Sequence, residues 1–129
     1  MSNKSTLKIS TFAIYAVSAA VLNAIVFIVA KSSGATMIVN QGGAQEIVLP
    51  LVIGATLISM FVAAFATNLI GKKYPSFISK SAWLGAIFGV VSAISPITVA
   101  DEFKTSLALA SNHIIAGLVW YVGINKASK

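Results

Sequence analysis

The chain has 129 residues, 57% of them hydrophobic and only 9% charged, which gives one domain's length and too little charge for a water-facing surface. Soluble domains carry roughly a quarter charged residues. The formal charge of +6 is carried by lysine, with no arginine. The lysines flank apolar runs rather than interleaving with aromatics, which points to anionic lipid headgroups as their partners and away from nucleic acid. With no cysteine, disulfides, thiolate nucleophiles and thiolate metal sites are excluded.

Four apolar runs follow in chain order, at residues 9–30, 47–70, 82–100 and 107–124. Each is about 18 to 24 residues, or roughly 27 to 36 Å as a helix, against a hydrocarbon core of about 30 Å. No water in the bilayer core can satisfy an open backbone, so each span must be helical. β-branched stretches such as Ile25-Val26-Phe27-Ile28-Val29 therefore do not argue for strands there. The expected fold class is all-α: residues 1–129 form a single transmembrane domain, an integral membrane four-helix bundle. The first run, although preceded by Lys4 and Lys8, is too long for a signal-peptide core of about 7 to 15 residues and reads as an uncleaved helix.

Four spans place the amino terminus, the 71–81 loop and the carboxyl terminus on one side. That side holds Lys4, Lys8, Lys72, Lys73, Lys80, Lys126 and Lys129. The other holds Lys31 and Lys104 together with Glu46, Asp101 and Glu102. The bias predicts both termini in the cytoplasm. Trp83, Trp120 and Tyr121 fall near the cytoplasmic ends of their spans and suit an interfacial aromatic belt.

Between the first two spans, residues 31–46 form the longest external connection. Two β-prone stretches surround Asn40-Gln41-Gly42-Gly43-Ala44, which reads as a short hairpin or an irregular linker. An isolated two-stranded hairpin is only marginally stable.

Each span carries a stripe of small and polar residues, the pattern by which membrane helices associate. The stripes are Ala13, Ala16, Ala20, Asn23, Ala24 and Phe27, then Thr56, Ser59, Ala63 and Thr67, then Gly85, Gly89, Ser92, Ser95 and Pro96. The fourth is Ser106, Asn112, His113, Ala116 and Trp120. Gly85 and Gly89 form a GxxxG segment that could drive dimerisation. Continuation of the same face into Ser92 and Ser95 favours packing within the monomer. Pro96 should kink or end the third helix.

Counting from the outer helix ends, Asn23 lies roughly 10 Å deep, Ser95 about 8 Å, and Asn112 and His113 about 9 to 10 Å. These four define an expected polar layer in the outer half of the membrane. His113 is the one histidine, and an intramembrane ionisable group is a functional candidate by default. It could relay protons or sense pH, or hydrogen-bond to Asn23 or Ser95 and fix packing. Because Leu109, Ala116 and Trp120 share its side, His113 rather than Asn112 is expected at the bundle centre.

No catalytic constellation accompanies this layer. One histidine and three acids cannot make a standard zinc site, and the acids lie outside the spans, against a serine triad. No cofactor, metal or enzymatic activity is expected. The small multidrug exporters share four helices in this length but depend on an acidic residue in the first helix, absent here.

The stretches Val21-Leu22-Asn23-Ala24-Ile25-Val26-Phe27, Ser95-Pro96 and Leu107-Ala108-Leu109-Ala110-Ser111-Asn112-His113-Ile114-Ile115-Ala116 resemble a family of short bacterial four-helix membrane proteins of unknown function. The resemblance implies the four-helix architecture and draws attention to Asn23 and His113; a bacterial inner-membrane location is expected. The expected role is an accessory subunit, an immunity or stress factor, or a binding module, alone, as a homo-oligomer or with a membrane protein partner. The alternative is a small oligomeric transporter or channel built around His113.

Overall fold

The computed structural model describes residues 6–129, in the order α1 (Ile9–Ser32), β1 (Ile38–Asn40), β2 (Ala44–Glu46), α2 (Leu49–Lys73), α3 (Phe77–Ser92), α4 (Ile94–Val99) and α5 (Phe103–Ala127). With α3 and α4 taken as one interrupted span, four helical segments of 23 to 25 residues are long and apolar enough to cross a membrane.

Most helix ends overrun the expected bounds because their end turns pack, whereas α2 starts two residues late at Leu49 and the third span ends one residue early at Val99. The first turn of α3 begins five residues early, and its Ile78 and Ser81 are buried. The first turn of α5 contributes Thr105, fully buried at 0% exposure. Pro50 sits in the first turn of α2, where a missing N–H has no intrahelical partner to lose.

Around the bundle the order is α2, α1, α5, α3. Helix α5 packs extensively on both α1 and α3, and α2 packs on α1. Of the four seams between neighbouring spans, that between α2 and α3 is the loosest. The outward faces carry Ile14, Val17, Val21, Ile25, Ile58, Val62, Phe65, Leu69, Ile87 and Phe88, all well exposed. Such a surface suits lipid.

Close packing rests on the expected small residues. A Cβ added at Gly89 would lie 2.7 Å from the Gly117 Cα and 2.8 Å from the His113 carbonyl oxygen, and one added at Gly85 would fall inside the Trp120 indole. The GxxxG face therefore packs within the monomer, against α5. Trp120 is a correction to the expected belt. It is buried, edge-on to Phe12 at 5.4 Å between centroids, and its indole N–H donates to the Ser81 carbonyl at 2.7 Å. A buried Trp with a satisfied N–H is a core residue. Trp83 remains exposed, edge-on to Tyr121 at 4.8 Å.

Pro96 breaks the third span where its chemistry requires. Its missing N–H and its ring both act on the carbonyl four residues back, that of Ser92, and α3 ends at Ser92. The chain resumes as α4 after Ala93.

The hairpin forms, shorter than its β-prone flanks. Ile38, Val39 and Asn40 pair with Glu46, Gln45 and Ala44 in antiparallel register. Gly42 and Gly43, at φ +74° and +147°, supply the backbone the turn needs. The hairpin is not isolated, which answers its marginal stability. Its free edge receives the Asp101 N–H on the Ile38 carbonyl at 2.9 Å, with a bridge between Val39 and Ala100. At its base Met37 holds φ +57°, fixed by an N–H bond to the Thr105 hydroxyl at 2.9 Å and a bond from the Ile47 N–H to its carbonyl at 2.7 Å. The two chain ends meet at the other end of the bundle, where the Lys8 N–H donates to the Ala127 carbonyl at 2.9 Å and the Leu7 N–H donates to the Asn68 side chain.

Candidate functional site

Below the hairpin the helices separate around a chamber of about 370 Å³. Asn23, Ser95, Asn112 and His113 all line it, joined by Thr56 and Ser59 from α2 and by Val39 and Gln41 from the hairpin. The four expected residues thus share one cavity, but not as a flat layer. With the observed helix ends, Asn23 and Asn112 lie about 13 Å from the ends of their helices, His113 about 15 Å and Ser95 about 6 Å. Ser95 is exposed at the rim, a consequence of the turn that Pro96 imposes.

The expected centre is also revised. Asn112 is buried and His113 is half-buried. His113 Nδ1 lies 2.8 Å from the Ser92 hydroxyl, so its partner is Ser92, not Asn23 or Ser95. Ser92 also lies 3.2 Å from the Gly89 carbonyl. If the hydroxyl donates there, Nδ1–H donates to Ser92 and Nε2 is an acceptor. If it donates to Nδ1, Nε2 carries the proton. The imidazole can therefore present either a donor or an acceptor to the cavity.

Asn23 has a fixed orientation. The Thr56 hydroxyl donates to the Val52 carbonyl at 2.8 Å, leaving its oxygen to accept from the Asn23 Nδ2 at 3.0 Å. The Asn23 carbonyl oxygen must then look elsewhere, and it has no partner. The same is true of Asn112. Both side chains are more than nine-tenths buried, at 2% and 8% exposure. Each orphaned acceptor costs about 1 to 3 kcal/mol.

Sequence reasoning placed Thr56 on the inner stripe of its helix but missed it as part of the site. It lies seven residues from the start of α2, roughly 10 Å deep, so the same depth count would have found it. Ser92 carried the weaker signal of its place on the glycine–serine stripe. The hairpin's Gln41 carried none, since its position depends on the pairing of β1 with the α4–α5 connection.

Near the hairpin, Glu102 closes α5. Its carboxylate accepts from the Thr105 hydroxyl at 2.7 Å and from the Thr36 N–H at 2.8 Å. These bonds, that from Thr105 first, hold its pKa below the usual carboxylate value. Lys104 reaches the Ser33 carbonyl. Lys31 and Glu46 pair at 3.6 Å in an exposed setting, where such pairs contribute little. Among the described residues no three His, Asp or Glu side chains come together as a metal site would require. The chamber's polar groups are hydroxyls, amides and one imidazole, set among a larger apolar lining.

Four apolar helices of membrane length indicate a multi-pass membrane protein. Residues 5–129 match the model of a family of unknown function (DUF6069), and the chain belongs to that family. No curated protein and no solved structure matches it.

Proposed function

We propose that this protein is a non-enzymatic binding module of the cell membrane, with the chamber below the hairpin as its site. The observation that carries this reading is the pair of orphaned amide carbonyls, Asn23 and Asn112, on two helices lining one cavity. An occupant bearing hydrogen-bond donors would recover their cost. The chamber is lined by no carboxylate or lysine, so it offers groups that hold a molecule rather than a charged pair that transforms one. The lysine bias supports a cytoplasmic position for both chain ends and an outward-facing hairpin, with the lysines against anionic headgroups.

The test is native mass spectrometry of the protein released from detergent micelles. The wild type should retain a small-molecule adduct carried from its membrane. Ser95→Phe, which fills the chamber from its exposed rim, should lose the adduct while its thermal midpoint stays within a few degrees. A wild type with no adduct, its carbonyls met by water alone, would sink the reading.

A further inference from the structure

A second hollow adjoins the chamber. It is a groove of about 760 Å³ along the loose seam between α2 and α3, and it shares Ala55, Ser59, His113 and Ala116 with the chamber. Its walls are apolar, with Ala63, Ala66 and Ile70 of α2 opposite Leu84 and Phe88 of α3. From Ala55 to Ile70 the groove follows about 22 Å of helix at 1.5 Å per residue, most of a hydrocarbon core. The chamber, whose amides, hydroxyls and imidazole are set among apolar side chains, and the more apolar groove together have the form of a head site and a tail site.

Resting on the reading of the chamber as a binding site, we propose that its occupant is an uncharged, hydroxyl-bearing lipid of the bilayer. Its hydroxyl head donates to the Asn23 and Asn112 carbonyls, and its apolar chain lies along the α2–α3 seam. Three observations select this chemistry. Both orphaned atoms are acceptors, and the Asn23 amide cannot turn to present its NH₂ without setting its carbonyl oxygen against the Thr56 hydroxyl oxygen, two acceptors facing each other. The residues lining the chamber include no lysine and no acid, so a phosphate, carboxylate or ammonium head would be stripped of water without a countercharge. The lip of the groove, at Leu84 and Phe88, is 55% and 72% exposed, so a chain can enter sideways from lipid without crossing water. Lipid tails are as apolar as the groove wall, so the chain gains little by moving. The head's hydrogen bonds must then set the preference, at about fivefold in affinity for each net bond of roughly 1 kcal/mol.

The experiment uses Trp120, on the groove wall, as its reporter. In a Trp83→Phe background it is the one remaining indole. A monoacylglycerol brominated on its chain quenches an indole that it touches, and the matching brominated fatty-acid methyl ester has the chain without the hydroxyls. Saturable quenching by the monoacylglycerol in micelles is expected, with the ester about tenfold weaker or worse. Asn112→Leu, which leaves the Asn23–Thr56 bond intact, should weaken the monoacylglycerol about fivefold. Ala66→Phe, on the exposed groove wall, should remove the quenching. Equal binding of ester and monoacylglycerol overturns the hydroxyl assignment, and this comparison decides the matter even if Asn112→Leu does not fold. No saturable quenching by either probe overturns the proposal. If the wild type still carries an adduct that Ser95→Phe loses, the chamber reading survives that failure. If it carries none, both fall.

Discussion

Gly89 and Gly117 face each other so closely that a Cβ added to the first would lie 2.7 Å from the Cα of the second, and one added to the second 3.0 Å from the Cα of the first. The contact is backbone against backbone, which no rotamer change can relieve. Gly89→Leu should therefore push α3 from α5. Overpacking of this kind costs typically 1 to 3 kcal/mol, and the thermal midpoint in detergent should fall accordingly. Gly54→Leu, at a glycine with no neighbour within 4 Å of an added Cβ, serves as the control and should leave the midpoint nearly unchanged. Equal effects at the two positions would contradict the packing described.

Acidification should loosen the hairpin end of the bundle. The bonds from Thr105 and Thr36 favour the ionised Glu102, so its pKa in the fold lies below its unfolded value. The stability it contributes is then present above the usual carboxylate range, near 4, and is lost as pH falls through that range and below. Amide exchange at Thr36 and Met37, corrected for the intrinsic effect of pH, should lose protection between pH 6 and pH 3. Glu102→Gln should lower protection at neutral pH and flatten the dependence. A pH response unchanged in that variant would place its origin elsewhere.

The lysine asymmetry yields a topology. Reporter fusions at Lys129 and after Ser76 should signal cytoplasm, and one at Gln41 should signal the outside. A cytoplasmic signal at Gln41 would invert the orientation and place the chamber in the inner half of the membrane.

Spans and stripes were legible because two strong constraints act on them locally. Each span needs about 20 apolar residues, and each buried face needs small or hydrogen-bonding ones. Asn23, Asn112 and His113 were found from depth and facing alone. What could not be read was pairing. His113 meets Ser92 rather than Ser95 because Pro96 ends α3 at Ser92 and turns Ser95 outward, a three-dimensional result of one missing N–H. Asn112 is more buried than its neighbour because α1 and α3 both pack on α5, so the inward direction at that level is set by two partners, which a single-helix wheel does not contain. The groove was invisible for the same reason. Ala63 and Thr67 read as packing residues on a helix, and only the loose α2–α3 seam leaves a hollow beside them.

The position of α5 between α1 and α3 bears on how the protein is made. Of the four spans it is the last to leave the ribosome, yet α1 and α3 both pack mainly against it. Helices α1 and α3 thus enter the bilayer before their chief partner exists; α1 can already pack on α2 through the Asn23–Thr56 bond, while the Gly85–Gly89 face is turned toward lipid or toward whatever insertion machinery shelters it. Assembly is then completed late, when α5 docks and the Lys8–Ala127 bond closes the ends together. A chain stopped before Phe103 would present quality-control proteases with an α1–α2 pair and an α3 lacking its main partner rather than three-quarters of a fold.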